Sequence, residues 1–187
     1  MGVLSEDSKL INQYLMGDEK SLEVLISKYL KPIYIFIYKN IGSQPEAEDV
    51  TQEVFVKVWK NIRKFDQNKN FKPWIFQIAK NTSIDYLRKK KTIPFSRFEN
   101  EKGQNVLVES IAAPPLNIIG KMSDERIIAT AMRGLNHKEQ IVINLRHTEG
   151  LSFNEIAKTL EESVNTVKSR YRRGLLNLKK NLQNGHV

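Results

Sequence analysis

The sequence contains no cysteine, which excludes disulfides, thiol catalysis and thiolate metal sites. Histidine is scarce: His137, His147 and His186 are the only ones, and none has metal-ligand spacing. No apolar run approaches the roughly 20 residues that span a bilayer. The opening stretch, MGVLSEDSKLINQYLMGDEK, lacks the basic start and apolar run of a signal peptide. A soluble cytoplasmic protein without membrane insertion is expected. Gly-rich phosphate loops and the G-x-S-x-G nucleophile turn are also missing. Asp49 and Glu53 share a helix face with no histidine or pocket motif near them. No catalytic residue, metal or cofactor is expected, and the chain does not read as an enzyme.

What is abundant is positive charge. The chain has 187 residues, 40% of them hydrophobic, with a net charge of +9 and a pI near 9.6. That length holds one or two small domains, and the basic balance favours a polyanionic partner, nucleic acid or an anionic membrane surface. Residues 1–64 are neutral overall, 65–98 carry +6, 99–125 carry −3, 126–160 carry +2 and 161–187 carry +4. Two basic zones therefore flank an acidic connector.

Residues 5–91 read as helical. Leu10, Ile11, Tyr14 and Leu15 form a short stripe ended by Gly17, and Asp18 caps the next helix. Leu22, Leu25, Ile26 and Tyr29 give its buried face; Pro32 is expected to interrupt or kink it. The run Ile33 to Tyr38 is apolar on all sides, so its period does not separate helix from strand. Ser43 and Glu46 have capping-box spacing and open a helix over about 44–63, with Pro45 in its first turn. FDQNKN at 65–70 is a loop, and a helix follows over about 72–91. Residues 92–121 hold Pro94, Gly103, Pro114, Pro115 and Gly120 without helical period, which reads as a flexible linker. Helices around 124–133 and 138–147 begin a second domain.

The most informative stretch is LSFNEIAKTLEESVNTVKSRYRRGLLNLKK, residues 151–180. Ser152 and Glu155 form a capping box, Ile156, Ala157 and Leu160 an apolar stripe, and Ser163 caps a second helix. Val164, Val167, Tyr171, Leu175 and Leu178 give that helix its buried face. Asn165, Thr166, Ser169, Arg172 and Arg173 lie opposite, with Lys168 and Arg170 at the margins. A helix packed on one face with donors and cations on the other suits the DNA major groove; the plainer alternative is a solvated basic face.

Two further faces stand out. On the 44–63 helix, Ala47, Val50, Val54, Val58 and Ile62 form the buried side, with Phe55 and Trp59 beside them. Asp49, Gln52, Glu53 and Val56 occupy another side at i, i+3, i+4 and i+7, either a solvated face or a docking surface for a basic protein. On the 72–91 helix, Lys72, Lys80, Asn81, Arg88 and Lys89 lie near Phe71 and Trp74. Cations that track phosphate beside aromatics that stack on bases are the ingredients of single-strand binding; Phe71 and Trp74 as plain core residues is the alternative.

In this order the blocks resemble the extracytoplasmic-function (ECF) class of bacterial RNA polymerase sigma factors: AEDVTQEVFVKVWKN at 47–61, FKPWIFQIAKNTSIDYLRKKK at 71–91, and the block from Leu135 to Lys180. The resemblance implies an all-α protein of two small helical domains, 1–91 and 122–187, joined by the linker 92–121. The second would be a four-helix, winged-helix-like helix-turn-helix domain. Core RNA polymerase, promoter DNA and an anti-sigma factor are the implied partners, and the linker would thread toward the RNA exit path. Asp49, Gln52, Glu53 and Val56 would dock on the polymerase. The loop from Asp66 to Asn70, Asn68 included, with Lys72, Trp74, Lys80, Asn81, Asp85, Arg88 and Lys89, would hold the melted promoter. Asn165, Thr166, Lys168, Ser169, Arg170, Arg172 and Arg173 would read the duplex. The family usually has glycine and then an apolar residue in the helix-turn-helix turn; here Glu161 and Glu162 stand there. Two other classes share parts of the pattern. The output half of a response regulator would need a phosphoacceptor domain of alternating strands and helices, and a nucleic-acid enzyme would need metal carboxylates or a nucleophile with its base.

Overall fold

A computed structural model describes residues 5–92 and 124–184; the stretch read as the linker lies outside them except for Thr92, which ends a helix. All regular structure among the described residues is helical. The chain forms two compact units, one carrying the helices before the linker stretch and one carrying those after it.

The first unit contains α1 (Glu6–Leu15), α2 (Glu19–Ile41), α3 (Gln44–Asn61), a single 3-10 turn (Ile62–Lys64) and α4 (Phe71–Thr92). Helix α1 lies on α2, and α2, α3 and α4 pack on one another. Ile11, Leu25, Ile33, Ile37, Val50, Val54, Val58, Ile62, Ile75 and Phe76 fill the interior and are almost completely buried. Each such side chain stabilises the fold by about 1.5–3 kcal/mol relative to exposure. Phe36 meets Phe76 edge to face at 5.3 Å, and Tyr29 meets Phe71 likewise, so α2 is fixed against α4. Gly42 ends α2 in the left-handed conformation, φ 80°, where a side chain would be strained.

Three expectations change here. Pro32 does not interrupt α2, which runs unbroken through it. A mid-helix proline costs about 3 kcal/mol, but buried Tyr29, Ile33, Phe36 and Ile37 hold both sides of it in the core. Ser43 starts α3 without a side-chain cap to the backbone, and the Glu46 carboxylate, the other member of the expected box, bonds to Lys90 and Tyr86 of α4 as well as to the Ser43 side chain. Trp59 is not part of the core but 55% exposed.

The second unit contains α5 (Asp124–Arg133), α6 (His137–His147), α7 (Phe153–Leu160) and α8 (Val164–Asn184). Helix α8 packs against α5, α6 and α7. The Ser152–Glu155 capping box forms with both of its hydrogen bonds, and Asn136 caps α6. The turn from α7 to α8 is a Schellman arrangement: Glu161 N–H donates to Lys158 C=O and Glu162 N–H to Ala157 C=O. Glu161 takes the left-handed position, φ 57°, that glycine usually fills, which costs about 1–2 kcal/mol. The inward face of α8 is Val167, Arg170 and Gly174. Leu175, expected on that face, is exposed. Gly174 takes the place against α6: a Cβ there would stand 2.9 Å from Ile143 Cδ1, so the helix seats where its side chain is smallest.

Phe76→Ala should lower unfolding free energy by about 3–5 kcal/mol, whereas Trp59→Ala should change it by about 0.5 kcal/mol or less. Urea titration followed by circular dichroism checks the contrast, and an equal loss for both would place Trp59 in the core.

Candidate functional site

Helix α3 gives its buried face to the first unit and turns Asp49, Gln52, Glu53 and Val56 to solvent together. Val56 is 47% exposed, and Trp59 follows it along the same open side. The face is acidic toward its start, apolar at Val56 and Trp59, and basic beyond at Lys60, Arg63 and Lys64. Trp59 escaped the sequence reading because it sits on the border of the apolar stripe, where helical period alone assigns it to either side. Glu53 pairs with Lys57 at 2.8 Å, and the Lys57 ammonium also donates to the Thr82 hydroxyl of α4 at 3.1 Å.

A second link joins the two helices. The Glu46 carboxylate accepts from Lys90 Nζ at 2.7 Å and from Tyr86. Partial burial alone would raise that carboxyl, but the bonds from Lys90 and Tyr86 and the Lys90 charge outweigh it and hold Glu46 below its ordinary value. The Tyr86 hydroxyl is pushed up to about 12 by burial, its bond to Glu46 and the negative charges of Glu46 and Asp49.

The loop before α4 is held by Asp66. Its carboxylate accepts from the Asn68 N–H at 3.1 Å and from Asn68 Nδ2 at 3.2 Å. The bond from the Asn68 N–H leads the effects that keep Asp66 below its usual range. Phe71 is core, but Trp74 is only half-buried, tilted against Phe65 at 4.9 Å and Phe71 at 5.4 Å. By helical period Trp74, Asn81 and Arg88 fall on one side of α4, with Lys89 and Lys80 flanking it by about 80–100° to either hand and Lys72 opposite. Arg88 pairs with Asp85 at 3.0 Å.

Helix α8 exposes Asn165, Thr166, Lys168, Ser169, Arg172 and Arg173 together. The Ser163 hydroxyl accepts from the Thr166 N–H at 3.0 Å, and the two hydroxyls lie 2.8 Å apart, so Thr166 is partly engaged in the cap. Arg170 departs from the expected set. It is 9% exposed and ion-paired with Glu162. It lies with Val167 and Gly174 on the inward face of α8. Phe153, Tyr171, Leu175 and Leu176 line an open apolar groove beside this face, rimmed by Lys168, Arg172 and Lys179. Tyr171 is held there by His147, whose Nε2 is 2.7 Å from the phenol oxygen.

Residues 25–93 match the model of Sigma-70 region 2, and residues 125–178 match that of Sigma-70, region 4. The chain is 32% identical over 179 residues to the ECF RNA polymerase sigma factor SigW of Bacillus subtilis, covering 94% of this chain and 96% of the relative. The chain belongs to the ECF sigma-factor family. The ECF RNA polymerase sigma-E factor of Haemophilus influenzae is 29% identical, over 88% of each chain. Among solved structures, the fold is shared with the sigma factor RpoE of Bartonella quintana in complex with the anti-sigma factor NepR, at a TM-score of 0.70 and 24% identity. That match covers 88% of this chain and 98% of the other. CnrH in complex with the cytosolic domain of CnrY shares it too, with a TM-score of 0.64, 22% identity and coverage of 96% and 98%.

The sigma factor therefore directs promoter-specific initiation as a partner of core RNA polymerase and promoter DNA, and it is not itself an enzyme. No helix among its described residues is long and apolar enough to cross a membrane. Region 2 of the family covers most of α2 together with α3 and α4, and region 4 covers α5 to most of α8.

The Glu46 contacts carry a pH signature. A carboxyl lowered in the folded state stabilises the sigma factor above its unfolded value, and that contribution is lost as pH falls through the lowered one. The thermal stability of the parent should exceed that of Glu46→Gln above pH 4.5, the ordinary carboxyl value, and the gap should close as acid is added. Melting curves followed by circular dichroism from about pH 7 to about pH 3 test this; a gap that widens toward low pH would contradict the assignment.

Proposed function

We propose that three exposed helix faces divide the work of initiation. Asp49, Gln52, Glu53 and Val56 of α3, joined by Trp59, dock on core RNA polymerase. Asn68, Lys72, Trp74, Lys80, Asn81, Arg88 and Lys89 hold the melted promoter strand. Asn165, Thr166, Lys168, Ser169, Arg172 and Arg173 of α8 read the upstream duplex, with Arg170 withdrawn from the set. The domain division 1–91, linker 92–121 and 122–187 belongs to the same reading. The observation that carries it is the exposure of the α3 and α8 sets on helices whose opposite faces are locked into a core, with the middle set spread over the 65–70 loop and α4 around half-buried Trp74.

The chemistry of each face matches its role. An acidic face with an apolar centre suits a basic protein surface. Lysines and arginines release counterions from phosphate, so grip on DNA weakens steeply with salt. Half-buried Trp74 offers a ring for base stacking, worth about 1–3 kcal/mol per base. Two weak grips on a linked chain add through effective concentration only when their sites are held at the right spacing, and the polymerase supplies that spacing. The free chain then binds DNA weakly and without sequence preference.

The sigma factor acts in the cytoplasm, where polymerase and template are. RpoE of Bartonella quintana and CnrH each have a structure with a protein regulator. An anti-sigma factor that covers the α3 or α8 face is the corresponding partner here.

Run-off transcription with core polymerase separates the roles. Asp49→Ala/Glu53→Ala should lose polymerase binding and all transcription. Arg172→Ala/Arg173→Ala should keep polymerase binding, lose dependence on the upstream element, and reduce the salt slope by about one per phosphate contact removed. Retained polymerase binding in the first pair, or an unchanged salt slope in the second, would count against these assignments.

A further inference from the structure

We propose that Glu162 and Arg170 are a positioning pair that sets how α8 is presented to DNA, and that neither touches DNA. The proposal rests on α8 being the duplex reader.

Helices α7 and α8 are joined by only Glu161, Glu162 and Ser163. The first of these is held in a left-handed conformation, and the Glu162 N–H is tied back to Ala157 C=O at 3.0 Å. The Glu162 side chain then reaches forward eight residues to the Arg170 guanidinium. Arg170 stands between Val167 and Gly174 on the inward face of α8, and its side chain is 10% exposed.

Both partners need the contact. An arginine cannot shed its proton, and a buried charge left alone is strongly destabilising. A carboxylate at the turn before a groove-reading helix would repel phosphate unless neutralised. The pair removes both difficulties at once. It also has geometric content, because the guanidinium fork is rigid and its stem is clamped by the packing of α8. Where Glu162 is held, Ser163 follows, and the cap from Ser163 to Thr166 starts the helix that carries Asn165 to Arg173. The pair thereby fixes the approach of every proposed reading residue.

This account gives a sign opposite to simple electrostatics. Removing a negative charge near DNA ordinarily strengthens binding; Glu162→Ala should weaken it, because Arg170 is stranded and the turn loses its anchor. The test uses holoenzyme reconstituted with core RNA polymerase and the duplex that the parent holoenzyme enriches from a randomised library. Binding is read by fluorescence anisotropy over a salt series, at a temperature where circular dichroism shows each variant folded. Glu162→Ala and Arg170→Met should each weaken binding about tenfold, the size of one lost base contact. Both should leave the salt slope unchanged. The double variant Glu162→Ala/Arg170→Met strands no charge and should recover most of the stability lost by either single change; it keeps the test available if a single variant does not fold. It should still bind more weakly than the parent, since the anchor is gone.

Tighter binding by Glu162→Ala, a salt slope lowered by Arg170→Met, or parental affinity in folded variants would each overturn the proposal. Arg172→Ala/Arg173→Ala serves as the reference. If that pair leaves binding and salt slope untouched, the reading of α8 has failed. If it weakens binding while the Glu162 result runs the wrong way, only the positioning role has failed.

Discussion

Helix α8 has one strip to give to the core of the second unit, and the placement of Val167, Arg170 and Gly174 on that strip decides the rest of its surface. Gly174 lets α8 approach Ile143 of α6 closely. Leu175 and Leu176 are thereby turned outward, beside Arg172 and Lys179. A rotation that buried Leu175 in place of Gly174 would turn the shared face of Asn165, Ser169 and Arg172 as a whole by about 100°. The same logic governs α3, where burial of Val50, Val54 and Val58 leaves Asp49, Gln52, Glu53 and Val56 facing solvent together. The functional faces are therefore consequences of packing, and a periodicity of 3.6 residues ties each to its buried counterpart.

Electrostatics works at two ranges. The net charge of +9 draws the whole chain toward polyanions. Close in, a few pairs decide which charges remain available. Glu162 and Arg170 neutralise each other inside the turn, so neither contributes to the outer field. Glu46 with Lys90 and Tyr86, and Lys57 with Thr82, join α3 to α4, the helices proposed to dock on polymerase and to hold melted DNA. Counting charges along the chain does not separate these internal pairs from the surface.

Much of the fold was legible because its local rules agree. Gly17 and Asp18, Gly42, and the Ser152–Glu155 box mark helix ends that the structure places at those residues. The blocks at 47–61, 71–91 and 135–180, in that order, carried the resemblance to the family. The misreadings have a common cause. Pro32 was expected to interrupt or kink α2, and the helix runs through it without interruption. Ser43 and Glu46 have capping-box spacing, but the Ser43 side chain caps no backbone N–H and the Glu46 carboxylate also bonds to Lys90, 44 residues beyond it. Trp59 and Leu175 lie on stripe borders, and Arg170 was counted with its charged neighbours.

The sequence by itself determined that the protein is helical, where most of its helices begin and end, and which family of initiation factors it belongs to. Those properties follow from caps, turns, periodicity and motif spacing, all of them local. Only the tertiary structure decided which border residues face inward, that Arg170 of α8 is buried, and that the Glu162 carboxylate at the turn is paired with it. Those outcomes depend on neighbours distant in the chain, and a helix wheel does not contain its neighbours.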